Sequence, residues 1–425
     1  ITAQSKGLIP SFELSDVTLL DAQSRVALSL PRVLVAVSPR SLWRLGFEQV
    51  YLDAPKLDVR RLPDGRITVA GLDLAAAQGT ESAVMDWFFS QIEFAIHEGV
   101  LRWTDEQRGA DTLVLQKVDM VVRNLGRHHD VRLDATPPQA WGERFSLRGR
   151  FLQPLLTRQN GRWQDWEGQV YAAFEHIDLS ELRRYVDVGS ALSQGRGALR
   201  TWVDVSQGVV TGGTADVALS EVNVTLGQDL QALALRQVQG RVGGRVLAGG
   251  FELSTQAMSF DAADGLHWPG GNLRVLYMGA EGKMAAHGEL QADQLDLAAL
   301  AQVVQRLPLE AHWHDKVAAY APKGRVEKLA LSWQGPGNAL QKYTAKGRIS
   351  ALELAAVAPT PGVRGLAVTF DLDQQAGRAS LLLNQGSVDV PGILQESLID
   401  VAQLSAQLRW QRDGERIAID VCIVA

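Results

Sequence analysis

A single cysteine, Cys422, stands among 425 residues, so no internal disulfide framework is available and any redox compartment is permitted. No stretch reaches the roughly 18 consecutive apolar residues of a membrane-spanning helix. The sequence opens at Ile1 without a signal-peptide pattern, and the residues given read as a soluble segment. Basic clusters with interleaved aromatics are missing too. The 42 Lys and Arg are mixed with 48 Asp and Glu, for a net charge of -6, and Arg60 and Arg61 read as strand-edge solvation. Nucleic acid is therefore excluded as a partner, because neutralising phosphates needs a concentrated positive face.

Catalytic signatures are equally scarce. No Gly-x-Ser-x-Gly elbow occurs, and no Cys/His or Ser/His/Asp set stands at a recognisable spacing. The run Gly240-Arg241-Val242-Gly243-Gly244 lacks the spacing of a dinucleotide fingerprint and precedes no helix, so it reads as a bend or bulge in a strand. His128-His129 and His312-Trp313-His314-Asp315 are the only clusters with metal-ligand residue types. Neither has the further ligands a tetrahedral zinc site needs, and both read as solvated loops. Asp58, Asp119, Asp178 and Asp296 fall at polar strand positions or helix starts, where solvation or capping accounts for them. The expectation is a protein that is not an enzyme and carries no metal or cofactor.

What is present is alternation. Ile92, Phe94 and Ile96, then Leu101 and Trp103, Leu113 and Leu115, and Val118, Met120 and Val122 repeat at a period of two, as strands with one apolar face do. The pattern predicts strands at 12–19, 26–37, 50–59, 66–70, 92–103, 112–122, 130–135, 145–151, 169–174, 198–205 and 214–226. Further strands are predicted at 238–253, 272–277, 284–291, 324–333, 343–354, 364–372, 378–390, 404–411 and 416–423. Turn signals separate them at Asp64-Gly65, Asn160-Gly161, Gly212-Gly213, Gly270-Gly271, Gly335-Pro336-Gly337 and Asp413-Gly414, giving an all-β meander.

Helices are few. Ser38-Pro39 opens a short one through Leu42, Trp43 and Leu45, and residues 81–90 place Val84, Trp87 and Phe88 on one face. The segments Ile177-Asp178-Leu179-Ser180-Glu181-Leu182 and Leu295-Asp296-Leu297-Ala298-Ala299-Leu300 read as two copies of one strand-to-helix unit, with helices at 180–187 and 298–306. That repetition points to a stacked β array in one elongated body without a linker, with quasi-repeats at 1–155, 156–290 and 291–425.

Two destinations exist for the apolar strand face. One is the dry core of two packed sheets. The other is a sheet curled into an open trough that holds lipid acyl chains, each buried methylene contributing about 0.8 kcal/mol. Trp103, Trp202, Trp333 and Trp410 all stand in the apolar register of their strands, which favours burial over sugar stacking.

Residues 38–74 carry a resemblance that chooses between these. Leu52-Asp53-Ala54-Pro55-Lys56-Leu57-Asp58-Val59-Arg60-Arg61, followed by Asp64-Gly65-Arg66-Ile67-Thr68-Val69-Ala70-Gly71, is similar to the YhdP branch of the AsmA-like proteins. So are the stretch from Trp87 to Asp105 and the landmarks Pro361-Gly362, Gly365-Leu366, Val390-Pro391 and Leu408-Arg409-Trp410. The resemblance implies a mostly β fold: an elongated, twisted antiparallel sheet curled into an open groove, with a few short amphipathic helices. It implies a periplasmic protein of a Gram-negative envelope that conducts phospholipid between the inner and outer membranes. It also implies an inner-membrane anchor, through an N-terminal helix not in this sequence, and possible envelope protein partners at the outer membrane.

The expected lining is Ile92, Phe94, Ile96, Trp103, Leu115, Met120, Val203, Phe251, Leu253, Val275, Phe370, Leu381 and Leu383. The ending at Cys422 breaks off inside a strand, as an N-terminal portion of a longer chain would, and leaves a sticky edge. The alternative role is an envelope scaffold or outer-membrane protein assembly factor that uses its β edge. A β-repeat adhesin is a third reading, and it lacks the calcium loops it would need.

Overall fold

The computed structural model describes residues 2–6, 9–20, 26–38, 46–69, 72–73, 86–155, 161–186, 192–225, 230, 232–282, 284–307, 311–336, 340–391, 397–414 and 416–424. The expected helix through Trp43, the start of the one at 81–90, and Asn160 and Gly337 of the expected turns lie outside them. Strands dominate, with short helices between some of them, and the chain divides into two units, Ile1–Asp216 and Val217–Ala425.

The first unit contains β1 (Thr2–Lys6), β2 (Ile9–Leu20), β3 (Val26–Ala36), β4 (Gln49–Asp53), β5 (Lys56–Arg61), β6 (Ile67–Val69) and β7 (Leu72–Asp73). Then come β8 (Glu93–Asp105), β9 (Ala110–Leu125), β10 (His128–Thr136), β11 (Phe145–Leu152), β12 (Glu167–Asp178) and β13 (Leu192–Ser206). From β8 to β13 each strand pairs antiparallel with the next. The simple meander fails earlier. Both β4 and β5 pair parallel with β8, so the expected strand 50–59 is one sheet position interrupted at Ala54-Pro55. The interruption faces a bulge in β8 at Glu98, whose φ is +49. His97 and Pro55 carbonyls accept hydrogen bonds from the N–H groups of Ala54 (2.8 Å) and Val100 (2.9 Å), which ties the break to the bulge.

Bulges also explain the change of parity in the sequence. The apolar positions shift from even (Phe94, Ile96) to odd (Leu101, Trp103) across Glu98, and from odd (Leu113, Leu115) to even (Val118, Met120) across Lys117, φ +48. Each extra residue keeps the apolar side chains on one face while it bends the strand. Asp119 braces the first bulge, accepting from the Glu98 N–H at 3.0 Å and from Arg144 Nη2 at 2.6 Å, and it contacts His97 Nδ1 at 2.9 Å. This is a structural role, more than the solvation expected of it.

The boundary between units falls inside β14 (Val209–Val224). Gly212-Gly213, expected as a turn, is strand here, and the turn is at Gln207-Gly208. The second unit contains β15 (Leu233–Leu247), β16 (Gly250–Ala262), β17 (His267–Trp268), β18 (Leu273–Met278), β19 (His287–Asp296) and β20 (Lys323–Gln334). It continues with β21 (Lys342–Leu354), β22 (Gly362–Asp373), β23 (Ala376–Asp389), β24 (Leu398–Asp413) and β25 (Arg416–Val424). These form one antiparallel ladder. The expected strand 238–253 is a hairpin, turned at Ala248-Gly249. The Gly240 run does bend a strand, with a register shift between Gln239 and Arg241. Within the described residues β1 pairs only with β2 and β25 only with β24, so the sheet does not close into a barrel.

The helices are α1 (86–90), α2 (Leu179–Leu182), α3 (Leu297–Val304) and α4 (Ala311–Tyr320). The strand-to-helix unit recurs, but the first copy's helix stops at Leu182, with turn at 183–185, short of the expected 180–187. Asp178 caps α2 by accepting from the Ser180 N–H, and Asp296 caps α3 by accepting from the Ala299 N–H, both at 2.9 Å. His312, Trp313, His314 and Asp315 belong to α4 rather than to a loop.

Candidate functional site

Cross-strand register decides which side chains share a face, because directly paired residues point the same way. In the first unit one row runs through Phe12, Val35, Val50, Phe94, Val122, Val131, Gly149, Val170 and Val203. The next runs through Leu14, Val33, Leu52, Ile96, Met120, Leu133, Leu147, Ala172 and Thr201. The opposite face is polar: Gln49, Glu93, Arg123, Asp130, Arg150, Gln169 and Asp204 form one row, with Arg123 Nε donating to Glu93 at 2.7 Å. Trp202 belongs to this side, paired with Tyr171. Its apolar assignment from sequence is corrected, since the period-two pattern of β13 has weakly apolar residues on both parities.

The second unit repeats the arrangement. One row links Val246, Phe251, Tyr277, Gly288, Trp333 and Tyr343; its neighbour links Leu253, Val275, Leu290, Leu331, Ala345, Leu372, Gly377, Trp410 and Ile419. The reverse face carries ion pairs, Arg274 with Glu252 at 2.6 Å and Arg378 with Asp371 at 2.8 Å.

Twelve of the thirteen expected lining residues fall by register on the apolar face of their own unit, in different settings, while Ile92 lies in the bend just before β8. Ile96 is 4% exposed within a cluster with Leu30, Val33, Val50 and Leu52, and Phe94 and Met120 pack against that cluster. Leu115 and Leu383 are buried as well; Ile92, Trp103, Val203, Val275, Phe370 and Leu381 are half-buried. Phe251 and Leu253 stand 46% and 41% exposed. Among the described residues of the second unit, no other sheet covers this face. Large apolar side chains on it, Val246 at 68% among them, remain open, an arrangement that soluble surfaces normally avoid outside binding sites.

The helices bear on these faces. At the first unit's sheet end, α1 sets Phe88 against Phe94 (4.9 Å between ring centroids) and Phe89 against Trp166 (4.8 Å). In the second unit Leu297 of α3 packs on a cluster of Ala292, Leu295 and Val326.

Polar groups that sequence reasoning misread concentrate in the first unit. His129 is buried and stacks on Trp166 at 3.8 Å and 7°, and its Nδ1 lies 2.7 Å from Asn124 Oδ1. Burial pushes its pKa down to about 4, against a hydrogen bond with Gln153 that acts the other way, so the ring is neutral at pH 7. Asn124 in turn donates to the carbonyl of the fully buried Gln91 at 2.8 Å. Asp105 is fully buried and ion-paired with Arg61, which is thus not a solvated edge residue. Burial alone would raise the carboxyl's pKa; hydrogen bonds from Arg61 and the Arg108 N–H, with their charges, outweigh it and hold it below the usual value. Among the described residues no three His, Cys, Asp or Glu converge as metal ligands would.

The long, mostly antiparallel sheet, apolar on one face and not closed into a barrel, defines an open, elongated β class of protein. A family model described as YhdP protein matches residues 1–424, and the chain belongs to the YhdP family. The family is associated with bridge-like lipid transport in the envelope rather than with catalysis. No curated protein and no solved structure matches the chain. No helix among the described residues is long and apolar enough to cross a membrane.

Proposed function

We propose that the apolar faces bind phospholipid acyl chains, and that the protein conducts phospholipid between the inner and outer membranes from a periplasmic position at the inner membrane. The supporting observation is the second unit's apolar face, continuous over successive strands, polar on its reverse and, among the described residues, uncovered by a second sheet. A conduit needs such a surface and no nucleophile. Burial of apolar area at about 25 cal/mol per Å² supplies the affinity for acyl chains.

Organic extraction of the purified chain followed by mass spectrometry tests this. Phospholipid is expected at stoichiometric levels, falling several-fold in Leu253→Asp. A lipid-free chain that also fails to take up phospholipid from vesicles overturns the reading.

Beside it stands the reading as an envelope scaffold or assembly factor, in which a β edge receives an extended segment. An assembly factor working this way would bind unfolded outer-membrane strands with no phospholipid present.

A further inference from the structure

Strands β20 to β24 alternate in bulk across the second unit's apolar face. One cross-strand row reads Leu331, Ala345, Leu372, Gly377 and Trp410, one residue from each strand in turn. The next row carries Gly347, Phe370, Ala379 and Leu408 on β21 to β24. Leu329 of β20 completes it, with Cδ1 3.5 Å from where a Cβ on Gly347 would stand. In both rows large side chains rise from β20, β22 and β24, and small ones from β21 and β23.

Left upright, that alternation would form ridges and furrows, the relief with which a second sheet interdigitates. Aromatic rings level it. Trp333 is paired with Gly288, Phe370 with Gly347 and Trp410 with Gly377. A Cβ on Gly288, Gly347 or Gly377 would lie 2.2, 3.0 or 2.1 Å from its partner's ring. Each ring therefore leans over the preceding strand and takes the space of the missing side chain, as aromatics paired with sheet glycines do. The glycines stand on β19, β21 and β23 and the rings on β20, β22 and β24, one ring for each antiparallel pair. Rings carried two strands apart recur at about 10 Å across the sheet. All three are half-buried, and among the described residues no other sheet lies over them.

A level apolar floor discriminates between occupants. A protein face packs by interdigitating its side chains at interior density, and it loses contacts where relief is absent. A polymethylene chain carries no side chains and gains contact along its length against a flat ring.

We infer that Trp333 and Trp410 are acyl-contact residues of the second unit, each laid flat by its glycine so that a phospholipid acyl chain lies against the ring face. Phe370 over Gly347 is a third station of the same construction. This rests on the phospholipid reading above and deepens it. Contact falls on rings set by glycines as well as on aliphatic side chains, and lipid meets such a station on every second strand.

Phosphatidylcholine with a doxyl group midway along one acyl chain tests this on the whole chain. The protein is loaded from vesicles and separated from them by flotation, its retained lipid is read by the nitroxide signal, and Trp emission is compared with that of protein loaded with unlabelled phosphatidylcholine. Trp333→Phe and Trp410→Phe keep an aromatic ring over the glycine. Each should remove a several-fold larger share of the quenched emission than Trp202→Phe, whose indole belongs to the polar face of the first unit, and the double variant should remove close to the sum. Shares for Trp333 and Trp410 no larger than that for Trp202, in protein that retains the nitroxide lipid, overturn the ring contacts and leave the lipid reading standing. Protein that takes up no nitroxide lipid and yields no phospholipid on extraction overturns both.

Discussion

Trp410 lies flat across Gly377: the two are directly paired between β23 and β24, and a Cβ at Gly377 would come within 2.1 Å of the indole. The same relationship joins Trp333 to Gly288. In each pair glycine removes the side chain that would otherwise stand up from the sheet, and the ring fills the vacated area. The apolar face is thereby kept shallow where Trp side chains are largest. Gly377→Val should destabilise the second unit by about 1–3 kcal/mol through overpacking, read as a lower denaturant midpoint. Combined with Trp410→Ala it should cost less than the sum of the single changes, because the clash is gone. Additive effects would show that the ring does not depend on the glycine.

The Asp105–Arg61 pair fastens β5 to β8 at a fully buried carboxylate, with Arg61 Nε donating at 2.9 Å and the Arg108 N–H at 3.1 Å. Asp105→Asn leaves the guanidinium without its counter-charge and is expected to cost about 3 kcal/mol. Replacing both with Leu and Met should recover part of that loss. Urea titrations of the three variants make the comparison, and a single Asn variant as stable as the parent would contradict the pairing's importance.

His129 predicts a pH dependence with a definite sign. Its folded pKa, about 4, lies below the ordinary value of 6.5, so the folded state binds fewer protons than the unfolded one between those values. The stabilisation is fully present above pH 6.5 and is lost as pH falls toward 4, by up to about 3 kcal/mol. His129→Phe keeps a ring against Trp166 and removes the titration. Between pH 7 and pH 4.5 the variant should therefore lose less stability than the parent, as measured by thermal unfolding at each pH. Parallel losses would place the acid sensitivity elsewhere.

The strands were legible in the sequence because period two survives in a one-layer sheet, where one face is apolar and the other charged. The capped helices were legible too, since Asp178 and Asp296 act locally on N–H groups two and three residues away. What escaped was whatever depended on distant partners. The parallel pairing of β4 and β5 with β8 joins residues 44 positions apart, and no local signal marks it. His129 looks like a solvated residue beside His128 until Trp166, from another part of the chain, stacks on it. Arg61 resembles Arg60 in composition, yet only its side chain reaches Asp105. Even the parity shift at Glu98 was visible only as an interruption, whose cause is a bulge opposite Pro55.

The apolar face should also respond unevenly to charge along its length. Alternation alone suggests that an acidic substitution at Phe94 would leave the sheet folded. Phe94, however, packs against the Ile96 cluster and against Phe88 of α1, so Phe94→Asp should cost several kcal/mol, as the loss of a buried aromatic and the burial of a charge both do. Leu253 stands 41% exposed on the uncovered face, where Leu253→Asp keeps its carboxylate in water and should shift stability by less than about 1 kcal/mol. The two variants thus separate folding from binding: Phe94→Asp lowers the denaturant midpoint, while Leu253→Asp keeps it and loses extractable phospholipid. Retention of phospholipid by a folded Leu253→Asp chain would remove that position from the lipid-bearing surface.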